Sequence, residues 1–190
     1  MGTAVTTPPS VIVRDVHNNP VSGVSVTFAV TGGGGTVVPT TAVTTNASGV
    51  ATATSWTLGT TAGTNTLTAT SGSLSGSPVA FTATGTAGAA TQIALSAGDG
   101  QTAAVNTAVT IAPSVIVTDA FSNPVAGVSV TFAVVLGGGT VLPVTAVATG
   151  TNGIAAVTSW TLGSSPGTNT LTATSGSLTG SPVTFTATGQ

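Results

Sequence analysis

The chain contains no cysteine, lysine, glutamate or tyrosine. Without cysteine there are no disulfides, no thiolate nucleophile and no cysteine-ligated zinc, and the redox compartment is left open. Without lysine no Schiff base can form. Charge of either sign is scarce, with one Arg, three Asp and one His among 190 residues and a net charge of −2. Nucleic acid is therefore excluded as a partner, because phosphate binding needs clustered Lys and Arg to displace counterions. No apolar run approaches the roughly 18 residues that a membrane helix needs. The start of the chain has no basic stretch followed by a long apolar one, so the sequence predicts neither membrane insertion nor an export signal.

What is abundant is threonine, with 42 residues beside 26 Gly and 19 Ser. Threonine is β-branched and suits strands, while Gly and Ser suit the turns between them. A hydrophobic content of 41% separates the chain from charged disordered sequences. The composition is that of a packed β protein with an almost uncharged surface.

An internal repeat organises the whole chain. Residues 10–30, SVIVRDVHNNPVSGVSVTFAV, return at 114–134 as SVIVTDAFSNPVAGVSVTFAV, an offset of 104. Between Pro9 and Thr86, 56 of 78 positions are identical to their counterparts at that offset, without a gap. This is a tandem duplication. Gly2 aligns with Asn106, so AGAATQIALSAGDGQTAAV at 87–105 has no counterpart ahead of the first copy. Two full periods would be 18 residues longer than this chain, as expected of a cut from a longer array. Two domains are predicted, residues 1–86 lacking the front of the repeat and residues 87–190 carrying it, with the small residues at 87–90 as linker.

Within each copy the apolar residues recur with period 2. Val128, Val130 and Phe132 alternate with Ser129, Thr131 and Ala133, and Val183, Phe185 and Ala187 alternate with threonines. One face of such a strand is core and the other is threonine-lined. The same reading places Val115 with Val117, Leu171 with Ala173, and Ala156, Thr158, Trp160 and Leu162 on core faces. Asn123-Pro124, Gly137–Gly139, Asn152-Gly153 and Ser175-Gly176 mark turns, and no helical period is present. Short strands spaced by turns over about 100 residues predict an antiparallel two-sheet sandwich, with Trp56 and Trp160 as the largest core side chains.

The string Asp-x-x-x-Asn-Pro-Val-x-Gly-Val-x-Val-x-Phe spans Asp15–Phe28 and Asp119–Phe132. After it come Gly-rich, Trp-Thr-Leu-Gly, Gly-Thr-Asn-Thr-Leu-Thr-Ala and Ser-Pro-Val-x-Phe-x-Ala-x-Gly segments. In this order over nearly the whole chain, they resemble the bacterial immunoglobulin-like domains of group 1, the invasin and intimin type. The resemblance implies two tandem immunoglobulin-like sandwiches, the first lacking its N-terminal strand. It also implies extracellular or cell-surface display and a role as a repeated rigid spacer, with no catalytic residues and no cofactor. The surface is less charged than that family leads one to expect, and no carbohydrate-recognition domain is present, so receptor binding does not carry over.

Candidate sites are few. His17 lies two residues from Asp15, yet the second copy has Phe121 in its place, which reads as a turn and not a catalytic pair. Asp99 and Asp119 are weak candidates for a cation, which commonly takes several carboxylates. The alternative is that Asp15 and Asp119 hold the Asn-Pro turn and Asp99 a hinge between the domains. Gly32–Gly35 lacks the Lys and the following helix of a phosphate loop and reads as a hairpin. Asn46-Ala47-Ser48 is the one N-glycosylation sequon, and the threonine faces are either plain strand surfaces or carriers of O-linked sugar.

Thr91, Gln92, Ile93, Ala94, Leu95, Ser96 and Ala97 are predicted to form the first strand of the second copy. The first copy lacks that strand and is predicted to present an open edge, where another chain could add a strand and build a homo-oligomer or filament. Expected partners are thus other copies of the repeat or neighbouring domains of a longer chain. A carbohydrate-binding module is the remaining alternative, and with two Trp, five Phe and no Tyr it has little aromatic surface to use.

Overall fold

The computed structural model describes residues Gly2–Gln190, which fall into two compact units, the first ending at Ala87 and the second Gly88–Gln190. All regular elements among the described residues are strands. Unit 2 holds β9 (Ala90–Ala97), β10 (Gln101–Ala103), β11 (Ser114–Asp119), β12 (Ser129–Leu136), β13 (Thr140–Leu142), β14 (Val147–Ala148), β15 (Ile154–Ala156), β16 (Ser159–Thr161), β17 (Gly167–Thr174) and β18 (Val183–Gly189). One sheet runs β10-β18-β17-β12-β14, and the other face is built from β15-β11-β9 with the β13-β16 pair. Among the described residues every pairing of two strands is antiparallel except β10 on β18, where Gln101, Thr102 and Ala103 run parallel to Ala187, Thr188 and Gly189, and an isolated parallel bridge joins Gln92 to Thr179.

Unit 1 repeats this plan with β1 (Ser10–Ile12), β2 (Ser25–Gly32), β3 (Gly35–Val38), β4 (Val43–Thr44), β5 (Val50–Thr52), β6 (Ser55–Leu58), β7 (Gly63–Thr70) and β8 (Val79–Gly85). Its sheet runs β4-β2-β7-β8, faced by β1-β5 and β3-β6. Among the described residues nothing in unit 1 corresponds to β9 or β10, so β8 and β1 are sheet edges where β18 and β11 are interior strands.

Period-2 alternation decides which face enters the core. Val130 and Phe132 of β12, Leu171 and Ala173 of β17, and Val183, Phe185 and Ala187 of β18 are buried as the pattern predicts, around Trp160. Phe132 and Phe185 approach with ring centroids 6.4 Å apart at 40°, a tilted contact. Each such side chain contributes roughly 1.5–3 kcal/mol by leaving water. Both tryptophan indole N–H groups are buried without an acceptor, a cost that burial of the rings outweighs.

One face assignment is overturned. Ala156 and Thr158 are exposed, and Ala155 and Val157 are buried in their place, while Trp160 and Leu162 are buried as expected. The strand breaks between Ala156 and Ser159. β15 pairs with β11 and β16 with β13, so the alternation changes phase at the break.

Candidate functional site

The motif residues that carry the family resemblance are consumed in local structure. In unit 2 the Asp119 carboxylate accepts the backbone N–H of Phe121 (2.8 Å) and of Asn123 (2.9 Å), and both its oxygens take the Asn123 side-chain amide. This is an Asx-type turn, in which the side chain replaces the backbone partner that a tight bend cannot reach. Gly88 N–H donates to Asp119 Oδ2 at 2.8 Å and fastens the start of unit 2 to the same carboxylate. Thr149, also buried, closes the next bend by donating to Val125 O (2.7 Å) and accepting Val128 N–H (2.9 Å).

Sequence reasoning missed Asn65 and Asn169, both fully buried. Asn169 Oδ1 accepts Gly163 N–H at 3.0 Å and its Nδ2 donates to Gly167 O at 3.2 Å; Asn65 does the same with Gly59 and Gly63. The Gly-Thr-Asn segment thereby ties the end of Trp-Thr-Leu-Gly. The signal was the recurrence of both strings in both copies.

Asp99 is not in a hinge between the units. It lies between β9 and β10 inside unit 2, where Oδ1 accepts Thr186 N–H (2.7 Å) and the Thr186 hydroxyl (3.0 Å). A hinge was expected because Ala-Gly-Asp-Gly is small and polar. The fold instead spends it on the bend by which the chain leaves β9 and joins β18. Asp99 and Asp119 have separate hydrogen-bond partners, and among the described residues no group of three His, Cys, Asp or Glu is gathered as a metal site. Asp15 keeps its turn bonds to His17 N–H and Asn19, with His17 in that exposed turn. Asn46 uses Oδ1 to hold the Ser48 and Val50 N–H groups of its own turn. Of the aromatics, Phe121 is the one well exposed among the described residues, at 54%.

These turns set an acid limit on stability. Burial pushes the Asp119 carboxyl up, but the Asn123 side chain and the N–H groups of Gly88, Asn123 and Phe121 outweigh it and hold the pKa at about 2. For Asp99 the Thr186 N–H is the main cause of a downward shift. A carboxyl lowered in the folded state stabilises above its unfolded value of 3.8, and that stabilisation is lost as pH falls toward the folded value. The melting temperature of unit 2 is expected to be flat above about pH 5 and to fall between about pH 4 and 2. Asp119→Asn should remove much of that slope, and an unchanged slope would contradict the assignment.

The duplication makes each unit a control for the other. Val79 is 42% exposed where Val183 is 9% exposed, and Asp15 is exposed where Asp119 is buried. Val11, Val13, Phe81 and Ala83 are half-buried, whereas Val115, Val117, Phe185 and Ala187 are fully in the core. The residues are the same; what differs is cover by β9 and β10. Unit 1 carries two depressions. One of about 250 Å³ is lined by Val11, Val26, Leu74 and Val79 together with Arg14, Ser71 and Ser77. The other, of about 400 Å³, is lined by Val5, Trp56 and Phe81 together with Thr6, Thr7 and Thr82. Thr91–Ala97, named from the sequence as the self-association segment, lie in β9 on β11, with Ile93 the inward side chain at 3% exposure.

No protein-family model and no curated protein matches the sequence. Solved structures do. InvD of Yersinia pseudotuberculosis is 22% identical, with 99% of this chain and 54% of that chain covered and a TM-score of 0.62. FdeC, an Escherichia coli adhesin, is 22% identical over 99% of this chain and 60% of its own, with a TM-score of 0.48. The D0-D1 domain of intimin is 24% identical over 94% of this chain and 85% of its own, with a TM-score of 0.38. The chain thus spans little more than half of InvD and of FdeC. The likeness to InvD is one of fold: two successive immunoglobulin-like β-sandwiches.

Proposed function

We propose that the chain is a non-catalytic structural module, a repeated spacer of a bacterial cell-surface or extracellular adhesin-like protein. The observation that carries this reading is that the duplicated residues are spent on folding. Asp119, Asn123, Thr149 and Asn169 hold turns, and Trp160, Leu171 and Phe185 fill a core, with the same arrangement begun again in unit 1. The order of motifs resembling the invasin and intimin type and the fold shared with InvD support it. The buried Asp119 carboxylate is taken up by the N–H groups of Gly88, Phe121 and Asn123.

A spacer gains reach with each copy. In chains extended by whole 104-residue copies, the maximum dimension from small-angle scattering is expected to rise by a constant increment per copy. A dimension that levels off, as in a collapsed cluster of domains, would sink the proposal.

A further inference from the structure

We propose that Asn46 is an acceptor site for N-linked sugar, presented by a folded turn that leaves the asparagine side-chain nitrogen and the Ser48 hydroxyl open to a glycosyltransferase. This inference stands apart from the spacer reading, because the site is complete within one turn of unit 1 and needs no particular role for the array.

The turn lies between β4 and β5. Its backbone closes it once, with Asn46 N–H donating to Val50 O at 3.0 Å and Gly49 N–H donating to Asn46 O at 2.8 Å. The Asn46 side chain closes it again, since Oδ1 accepts Ser48 N–H at 2.9 Å and Val50 N–H at 3.0 Å. Two backbone donors on one side-chain atom require that atom to be the oxygen, so the orientation of the amide is fixed. Its Nδ2 and the Ser48 hydroxyl have no hydrogen-bond partner among the described residues, and Asn46, Ala47 and Ser48 are all exposed. Gly49 is the buried side of the turn. An added Cβ there would lie 2.6 Å from Val13 O and 3.0 Å from Pro20 Cβ, so the turn rests on the body of unit 1 through Gly49 and shows the other three residues to solvent.

The position is singled out twice. Of the eight asparagines, Asn46 alone is followed two residues on by Ser or Thr, with Ala and not Pro between. The fold does not demand this pattern. In unit 2 the same turn reads Gly150-Thr151-Asn152, with Gly153 N–H on Gly150 O at 2.9 Å and Asn152 Oδ1 accepting Ile154 N–H at 3.1 Å. The bend is kept there without the acceptor pattern.

A carboxamide nitrogen is a weak nucleophile because its electron pair is shared with the carbonyl. The two N–H donors on Oδ1 stabilise the negative charge which that oxygen gains as an Nδ2 proton leaves, and so release the pair on nitrogen. The pair attacks the anomeric carbon of a glycosyl diphosphate. The bond from that carbon to the diphosphate oxygen breaks with its electrons, the diphosphate departs, and the Nδ2 proton passes to a base of the transferase. A neutral glycosyl amide is left on Asn46. The donor is thus a sugar carried on a diphosphate, whether the rest of the carrier is a nucleotide or a polyprenyl lipid.

The test uses the folded full chain, with UDP-glucose and a soluble N-glycosyltransferase in one arm and a polyprenyl-diphosphate oligosaccharide with its membrane transferase in the other. Intact mass and peptide mapping are expected to show one glycan per chain, on Asn46, with amide exchange at Leu67 unchanged. Transfer from either donor supports the proposal, and the donor that works identifies the source. Ser48→Ala is expected to slow transfer at least about tenfold, as the loss of one hydrogen bond at the acceptor hydroxyl implies, and Ser48→Thr to retain it. Gly150→Asn combined with Asn152→Ser gives the unit 2 turn the same pattern, and a second glycan is expected there. No transfer from either donor, equal transfer to Asn46→Gln, or transfer only after denaturation would overturn the proposal.

Discussion

A chain carrying Gly163→Ala is expected to lose the folded state of unit 2 while unit 1 unfolds as before. The space for a Cβ does not exist. It would lie 1.7 Å from Gly137 O and 2.9 Å from Gly137 C, both backbone atoms, where the Gly137–Gly139 loop crosses the end of Trp-Thr-Leu-Gly. Asn169 pins that crossing through its bond to Gly163 N–H, so neither strand of it can move aside without breaking a buried hydrogen bond. Unit 1 repeats the contact, with a Gly59 Cβ at 1.9 Å from Gly33 O. Overpacking usually costs about 1–3 kcal/mol, and a backbone clash with no route of relief should exceed about 3. That is a large share of the roughly 5–15 kcal/mol a domain typically has. Amide exchange at Leu171 and Leu67 reads the two units separately. Gly150→Asn is the control, because unit 1 has Asn46 at that position and the nearest atom to an added Cβ is a side-chain oxygen at 3.1 Å. Native protection at Leu171 in Gly163→Ala would show that the glycine crossing is not tight.

Removal of one phenylalanine should cost unit 2 far more than unit 1. Phe185 is 0% exposed and packs on Phe132, while Phe81, at the same place in the duplicated motif, is half-buried at the edge. Phe185→Ala is expected to destabilise unit 2 by about 3–5 kcal/mol, the usual cost of emptying a closed core site. For Phe81→Ala the expected loss in unit 1 is under about half of that, because solvent already reaches the ring and no closed cavity forms. The difference isolates cover by β9 and β10, since the two rings sit in the same local sequence. Equal losses would mean that the front segment contributes little to the core.

The strand stretches that were legible from sequence were those whose two faces stay in one environment. β17, β18 and β12 up to Val134, where its register shifts, alternate in this way, so Val130, Phe132, Leu171, Ala173, Val183 and Phe185 could be assigned to the core by period alone. The β15-β16 segment failed because the chain changes partner strand between Ala156 and Ser159. A period has no phase across a break of that kind. Asn169 and Thr149 escaped notice because polar residues are ordinarily exposed. Their burial rests on backbone partners, Gly163 in the turn leading into β17 for Asn169 and Val125 24 residues back for Thr149.

Asp119 was legible as a turn residue, since its partners Phe121 and Asn123 lie within four positions. Its bond to Gly88 was not, because 31 residues separate them. The same holds for Asp99, whose partner Thr186 is 87 residues away.

By itself the sequence determined the properties that rest on local order and on counting: an all-β chain, a repeat of 104 residues and the turns. Those properties depend on neighbours along the chain or on comparison of one copy with the other. Only the tertiary structure decided that the front segment spans both sheets, antiparallel on β11 and then parallel on β18, with the Asp99 bend between. Pairing between strands joins residues far apart in sequence, and the alternation within a strand is the same whichever neighbour it finds.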